Sequence, residues 1–493
     1  MKLINYLSFA ALCGAFFLGC QSVPAAVDSE DTDSADVEEE AVNLSYLKPD
    51  LLDGTTRNPI ITHVFTADPT ARVFGDRVYL YASHDRDDAT GYNMNDYHVF
   101  SSDDLVNWQD HGVVLDANDF WASQLYAPDC VYDSVNKRYL LFFPNSGSNI
   151  GVAVSDNPAG PFIDALGKPL ITPSYPGARV PWCFDPGVLI DDDGQAYLYF
   201  GGGMPGTGDN AKVIRLGDDM LSLKDAAATT IPAPDYFEAP FTVKRNGKYY
   251  FTYSTNWENG HGIRIDYMMS DNPMTGWEYK GVVIDNPPQN HGNNNHHSLV
   301  EFQGQWYVFY HSRNLAIKLG KSDFQRSVNI DRISFAENGE IIPARFTDGD
   351  IKQLKYVSAF GRIEAELIAA QFGVEVEDIY AADTKTGASL ADLQNGDWSA
   401  VSGVDFGEGV SVFNATVAAN RNGGTIELWI DGGEENGGTL LGICKVPDTG
   451  SLDSWKDVSC DIQAVSGVHN LYLIYKGKQA EGTLFRFDSY MFQ

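Results

Sequence analysis

One short phrase recurs five times along this chain at nearly even spacing. It reads Gly75-Asp-Arg-Val-Tyr-Leu-Tyr, Asn136-Lys-Arg-Tyr-Leu-Leu-Phe, Gly194-Gln-Ala-Tyr-Leu-Tyr, Gly247-Lys-Tyr-Tyr-Phe-Thr-Tyr and Gly304-Gln-Trp-Tyr-Val-Phe-Tyr, with steps of 61, 58, 53 and 57 residues. β-Branched and aromatic residues behind a turn signal describe a strand. A repeat of this period describes one four-stranded sheet per unit, and hence an all-β chain with a five-bladed β-propeller. A solenoid is the competing arrangement, but it gives no reason for polar groups to sit at one phase of every repeat. Such groups are present: Asp68, Asp129, Asp185, Glu238 and His296 each precede a copy of the phrase. In a radial arrangement these five converge on the axis, where function is expected. A second phrase, Ser102-Asp-Asp-Leu-Val-Asn-Trp, Ser155-Asp-Asn-Pro and Ser270-Asp-Asn-Pro, supplies the turns between outer strands.

The 493 residues carry 34 Lys and Arg against 67 Asp and Glu, a formal charge of −33. That balance excludes a basic surface for nucleic acid or an anionic membrane and suits a neutral substrate. Residues 1–20 open on Lys2, continue through an apolar run and end Leu18-Gly19-Cys20, the pattern of an export signal. The ending resembles the lipobox of bacterial lipoproteins. It implies lipidation of Cys20 and an outer-membrane or cell-surface protein; ordinary cleavage near Ala25 or Ala26 would instead release a periplasmic or extracellular one. Residues 21–44 read as an acidic, disordered tether. Among the remaining cysteines, Cys444 and Cys460 flank a Pro-Asp-Thr-Gly turn and are placed to face each other. Cys130 and Cys183 read as buried small residues or as a bridge.

The repeats occupy residues 45–355. From residue 361 the pattern changes to short strands with Gly, Asp and Asn turns, which describes a β-sandwich of the jelly-roll kind over 361–493.

Each axial residue lies in a turn: Ala67-Asp68-Pro69, Pro128-Asp129, Phe184-Asp185-Pro186, Phe237-Glu238-Ala239-Pro240 and Asn295-His296-His297. Carboxylates crowded in a narrow funnel repel one another and lose solvation, which splits their pKa values into acid and base roles. The Ala-Asp-Pro opening, the Asp-Pro before Asp191-Asp-Asp-Gly, and the Phe-Glu-Ala-Pro before Lys244-Arg-Asn-Gly resemble glycoside hydrolase family 43 over roughly residues 57–345. The resemblance implies hydrolysis with inversion. Asp68 would be the general base, Glu238 the general acid, and Asp185 the residue that orients the acid and tunes its pKa. It also implies that His296 contacts a central ion, usually calcium, or a water cluster, with His297 a hydrogen-bonding neighbour. Arg326 would reach into the sugar site, the alternative being a surface ion pair. Asp129 reads as an orienting residue of the substrate site, and Trp121, Tyr126, Trp182, Phe184 and Phe237 as apolar faces for a sugar ring or as core. Ser83-His-Asp-Arg-Asp and the run from Asn95 to Trp108 are similar to the arabinoxylan arabinofuranohydrolase and xylosidase branch, which acts on plant hemicellulose.

Residues 361–493 resemble a family 6 carbohydrate-binding module through Ile363-Glu-Ala-Glu, Asn395-Gly-Asp-Trp, Gly424-Thr-Ile-Glu-Leu and Phe487-Asp-Ser-Tyr. The resemblance implies a structural calcium site at Glu364, Glu366 and Asp488, the first two on one face of a strand. Leu452, Ala391 and Arg486 replace side chains usual in the loop-end sugar cleft, which leaves a concave-face cleft or a structural role open. The expected activity is removal of α-L-arabinofuranosyl or β-D-xylosyl residues from arabinoxylan or its oligosaccharides. Alternatives are a β-xylosidase or arabinanase of the same family, a retaining glycosidase of the invertase type, or a silent polysaccharide-capturing lectin.

Overall fold

The computed structural model describes residues 51–207, 211–382, 384–421, 423–478 and 482–493, which fall in one compact unit. The signal peptide with Cys20 and the tether lie outside the described residues. Five four-stranded antiparallel sheets follow one another in chain order. The recurring phrase is the second strand of each: Arg77–His84, Arg138–Pro144, Ala196–Phe200, Lys248–Thr255 and Gln305–Ser312. A hairpin enters each one. At Asn246-Gly247 and Gln303-Gly304 both central residues have positive φ, the turn whose twist matches the flanking strands.

Why the phrase is apolar on both faces follows from what packs on each side. Leu140 and Phe142 pack against Leu198 and Phe200 of the next sheet, while Leu141 and Phe143 pack against Tyr81 and Tyr97 of the preceding one. Three further apolar layers join the third sheet to the fourth, the fourth to the fifth, and the fifth back to the first through Phe309, Val300, Leu80 and Phe100. First strands touch in the same cyclic order. The axial polar residues sit on these first strands or within two residues of them.

The C-terminal part is a sandwich of two sheets around a separate core that includes Leu428, Leu473, Phe413 and Phe487. It is fastened to the first sheet directly. Leu367–Ile368 adds as a fifth strand, Leu367 opposite Gln109 and Ile368 opposite Trp108. Beside it the buried Asn107 amide exchanges hydrogen bonds of 2.8 and 3.0 Å with the Ser402 backbone, and Lys385 Nζ donates to the carbonyls of His111 and Val113. The four described cysteines are thiols. Cys444 and Cys460 hydrogen-bond one another from strands of opposite sandwich sheets.

Candidate active site

Local backbone geometry separates the axial carboxylates from ordinary strand residues. The residue before a proline is disfavoured in the right-handed helical region. At three described non-glycine positions it adopts the left-handed one: Asp68 before Pro69 (φ 49°), Asp185 before Pro186 (φ 50°) and Ala239 before Pro240 (φ 59°). The strand pairing slips between Ala67 and Thr70 and again around Glu238. Such bulges turn a side chain out of the pleat. For a non-glycine residue the left-handed region costs about 1–2 kcal/mol, strain that a packed surround must sustain. Asp129 has proline before it rather than after, pairs in regular register with Phe142, and stays in the pleat.

The consequence is that Asp68, Asp185, Glu238, His296 and Arg326 line one small pocket of about 80 Å³ with Tyr92, Tyr126, Phe184 and Asn294. Asp129 is not in it. Fully buried, Asp129 receives Arg72 Nε at 2.9 Å, and the same guanidinium donates to the Val188 carbonyl and lies over the Phe241 ring. The orienting role expected of Asp129 in the substrate site gives way to an ion pair with Arg72 outside the pocket lining. Trp182 stands behind the pocket wall, 5.5 Å from Phe184 and 5.8 Å from Phe237 between ring centroids. Trp121 packs among Phe120 and Phe143.

Arg326 is 1% exposed, which removes the surface ion pair. Its Nε and Nη2 each donate at 2.8 Å to Asp85, leaving Nη1 to donate at 2.6 Å to Asp68 Oδ1. Ser83 Oγ donates to Asp68 Oδ2 at 3.0 Å, and His296 Nδ1 stands 3.7 Å from Asp68 and 3.9 Å from Asp185. Burial alone would raise the Asp68 pKa, but Arg326, His296, His311 and Ser83 outweigh it and hold the carboxyl at about 2. Glu238 has the opposite fate. Burial and the Asp68 charge push it up to about 8. Asp185 is raised by burial and by Glu238 and Asp68, and its Oδ2 accepts the Ala239 amide at 3.0 Å, which ties it to the chain one residue beyond Glu238. Burial lowers His296 to about 4, so the ring is neutral at pH 7. His297 accepts or donates at 2.6 Å with the Thr252 hydroxyl.

Asp85, Asn294 and Tyr92 escaped the sequence reading as site residues. Asp85 stood in the Ser83-His-Asp-Arg-Asp run, where strand alternation from Ser83 places it beside the axis; Asn294 lay in the asparagine run before His296.

In the sandwich, Glu364 and Glu366 are not on one strand. The chain leaves the sandwich sheet after Ile363–Glu364 and joins the first sheet at Leu367–Ile368, yet the two carboxylates and Asp488 remain in one cluster. Arg362 pairs with Glu364 at 2.8 Å and Asp488 at 2.9 Å. Glu366 is 3% exposed, and its Oε2 has no hydrogen-bond partner.

Residues 56–341 match the family model of glycosyl hydrolases family 43, and residues 364–493 match that of the carbohydrate binding module (family 6). An arabinoxylan arabinofuranohydrolase of Paenibacillus polymyxa is 39% identical over 475 residues, covering 88% of this chain and 74% of that protein. One of Bacillus subtilis is 36% identical over 477 residues, covering 88% and 92%. The crystal structure of a glycoside hydrolase family 43 arabinoxylan arabinofuranohydrolase from Bacillus subtilis, in complex with cellotetraose, superimposes with a TM-score of 0.82 at 34% identity over 90% of this chain and 98% of that one. The chain belongs to glycosyl hydrolase family 43, and it is a glycosidase.

Proposed function

We propose that this protein removes α-L-arabinofuranosyl residues from arabinoxylan or its oligosaccharides with inversion at the anomeric carbon. The observation that carries the mechanism is the opposite displacement of two carboxyls in one pocket, Asp68 held ionised and Glu238 held protonated at neutral pH. Inversion needs that pair with a water between base and sugar. Asp68, its proton affinity set by Arg326 and its orientation by Ser83, takes a proton from this water. Glu238 delivers its proton to the departing glycosidic oxygen. Asp185 accepts the Ala239 amide and so fixes the chain beside the acid, its own carboxyl held toward the neutral form by burial and by Glu238 and Asp68. His296, neutral at pH 7 and 3.7 Å from Asp68 and 3.9 Å from Asp185, would hold an ion or a water at the axis. Phe184, backed by Trp182 and Phe237, offers an apolar face to the sugar. The small pocket suits one terminal sugar unit. The choice of arabinofuranosyl over xylosyl rests on the relatives that match both halves of this chain.

The same reading takes the five sheets as a five-bladed propeller over residues 45–355, supported by the cyclic order of the apolar layers, with a carbohydrate-binding-module sandwich over 361–493. A calcium ion held by Glu364, Glu366 and Asp488 would brace the sandwich, because the unpartnered buried Glu366 oxygen asks for a cation. Export and anchoring through Cys20 complete the proposal. A panel of 4-nitrophenyl glycosides and de-starched arabinoxylan, with released sugars identified, tests it: arabinose release supports the assignment, and xylose alone overturns it.

A further inference from the structure

Away from the axis, on the far side of the strand that carries Ser83 and ends at His84, a second set of side chains converges. One ring nitrogen of His84, one of His98 and a carboxylate oxygen of Asp96 all lie within 4.8 Å of one another. Strand alternation explains the placement: Ser83 and Asp85 face Asp68 and Arg326, so His84 between them faces the other way. His98 and Asp96 come from the neighbouring strand Asp96–Ser102 and reach the same surface because they are two residues apart. His84 Nδ1 and Asp96 Oδ1 are 2.7 Å apart. His98 Nδ1 is turned to Asp110, 3.2 Å away, which leaves its Nε2 for another partner. Asp110 is fully buried and also holds His63 Nε2 at 2.9 Å.

This cluster opens on a cleft of about 580 Å³ between the first sheet and the sandwich strand Glu375–Ala381. Asp87, Asp88 and Glu375 line it together with Arg86, so carboxylates outnumber cations in its wall. A concave, anionic wall concentrates cations. Two imidazoles and one carboxylate are the donor set of borderline transition metals, whereas calcium and magnesium prefer an all-oxygen shell. The Asp110 contact to the far nitrogen of His98 is the arrangement that orients a ligating imidazole and raises its basicity.

We propose that His84, Asp96 and His98 form a binding site for a divalent, nitrogen-preferring ion of the zinc class, with Asp110 as the positioning residue for His98. The inference is independent of the hydrolase reading, because none of these side chains lines the axial pocket. Bound there, the ion would cross-link two strands of the first sheet at the edge of the sandwich.

The test uses the full chain, stripped of metal and then saturated with Ca²⁺, titrated with ZnCl₂ by isothermal calorimetry. The expected result is one Zn²⁺ equivalent that excess Ca²⁺ does not displace. His84→Gln and His98→Gln should each weaken it by more than tenfold, and Asp110→Asn by roughly 10–100-fold with stoichiometry retained. Unchanged affinity in both histidine variants, or no binding by the parent chain, overturns the site. Should either variant fail to fold, X-ray absorption on the parent Zn²⁺ form decides: two imidazoles in the shell support the assignment, and an all-oxygen shell refutes it.

Discussion

The axial carboxylates Asp68, Asp185 and Glu238 and the sandwich carboxylates Glu364, Glu366 and Asp488 are alike in number and in having one arginine among them. They differ in what the arginine does. Arg326 is buried, clamped on both sides of its fork by Asp85, and touches only Asp68 among the three. Within the trio it hydrogen-bonds only Asp68, which falls to about 2, while burial and the Asp68 charge lift Glu238 to about 8. Arg362 is half exposed and shared between Glu364 and Asp488. Glu366, the member left over, is raised by burial and by the two acids beside it. Three acids become an acid–base pair only where the cation is applied unequally. Where the cation is shared, the surplus charge is what the proposed calcium ion would offset.

The comparison breaks most sharply at the axis. Asp68→Asn should lower kcat by roughly 10³-fold on every substrate, since no other group can activate the water. Glu238→Gln should lose as much on arabinoxylan but far less on 4-nitrophenyl α-L-arabinofuranoside, whose leaving group needs no proton. Equal losses on both substrates would break the acid assignment. Next in size, Asp85→Asn should cost about 10²-fold in kcat by loosening Arg326 from its bidentate partner, read by steady-state kinetics.

The pH dependence follows with its sign fixed by the two shifts. Activity requires Asp68 ionised and Glu238 protonated, so kcat/KM should hold across acidic and neutral pH and fall as pH rises through about 8. Because the folded state raises the Glu238 pKa, ionising it destabilises the fold between the ordinary glutamate range near 4.5 and about 8. Glu238→Gln should therefore raise Tm over the parent by a margin that grows from pH 5 to pH 8 in calorimetry. The smallest effect belongs to the sandwich. Chelation by EGTA should lower Tm by a few degrees, a change that Glu366→Gln abolishes while leaving activity within about twofold. An EGTA effect that survives in the variant would place the ion elsewhere.

The spacing of the fivefold phrase was enough to predict five sheets, because a strand buried on both faces must be apolar at every position and is easily recognised. It was not enough to rank the residues that precede it. Asp68, Asp129 and Asp185 occupy the same phase of their repeats, yet only the two followed by proline leave the pleat and enter the pocket. That order, Asp-Pro against Pro-Asp, was present in the sequence and is the signal that distinguishes them. Arg72 and Asp85 were harder to read. Their roles arise from partners 57 and 241 residues away, and a long-range ion pair leaves no local periodicity.

The added strand Leu367–Ile368 bears on how this chain can be divided. Its two residues cap the outer edge of the first sheet, and the neighbouring Asn107 amide depends on Ser402 for both of its backbone contacts there. Cutting the gene after residue 355 would leave a bare sheet edge, open to pairing with any other extended chain, and would strip the Asn107 amide of both Ser402 contacts, leaving it only Asp104. The binding module is thus no detachable accessory. It covers an edge of the first sheet, and recombination that swaps it should supply the same two-residue patch.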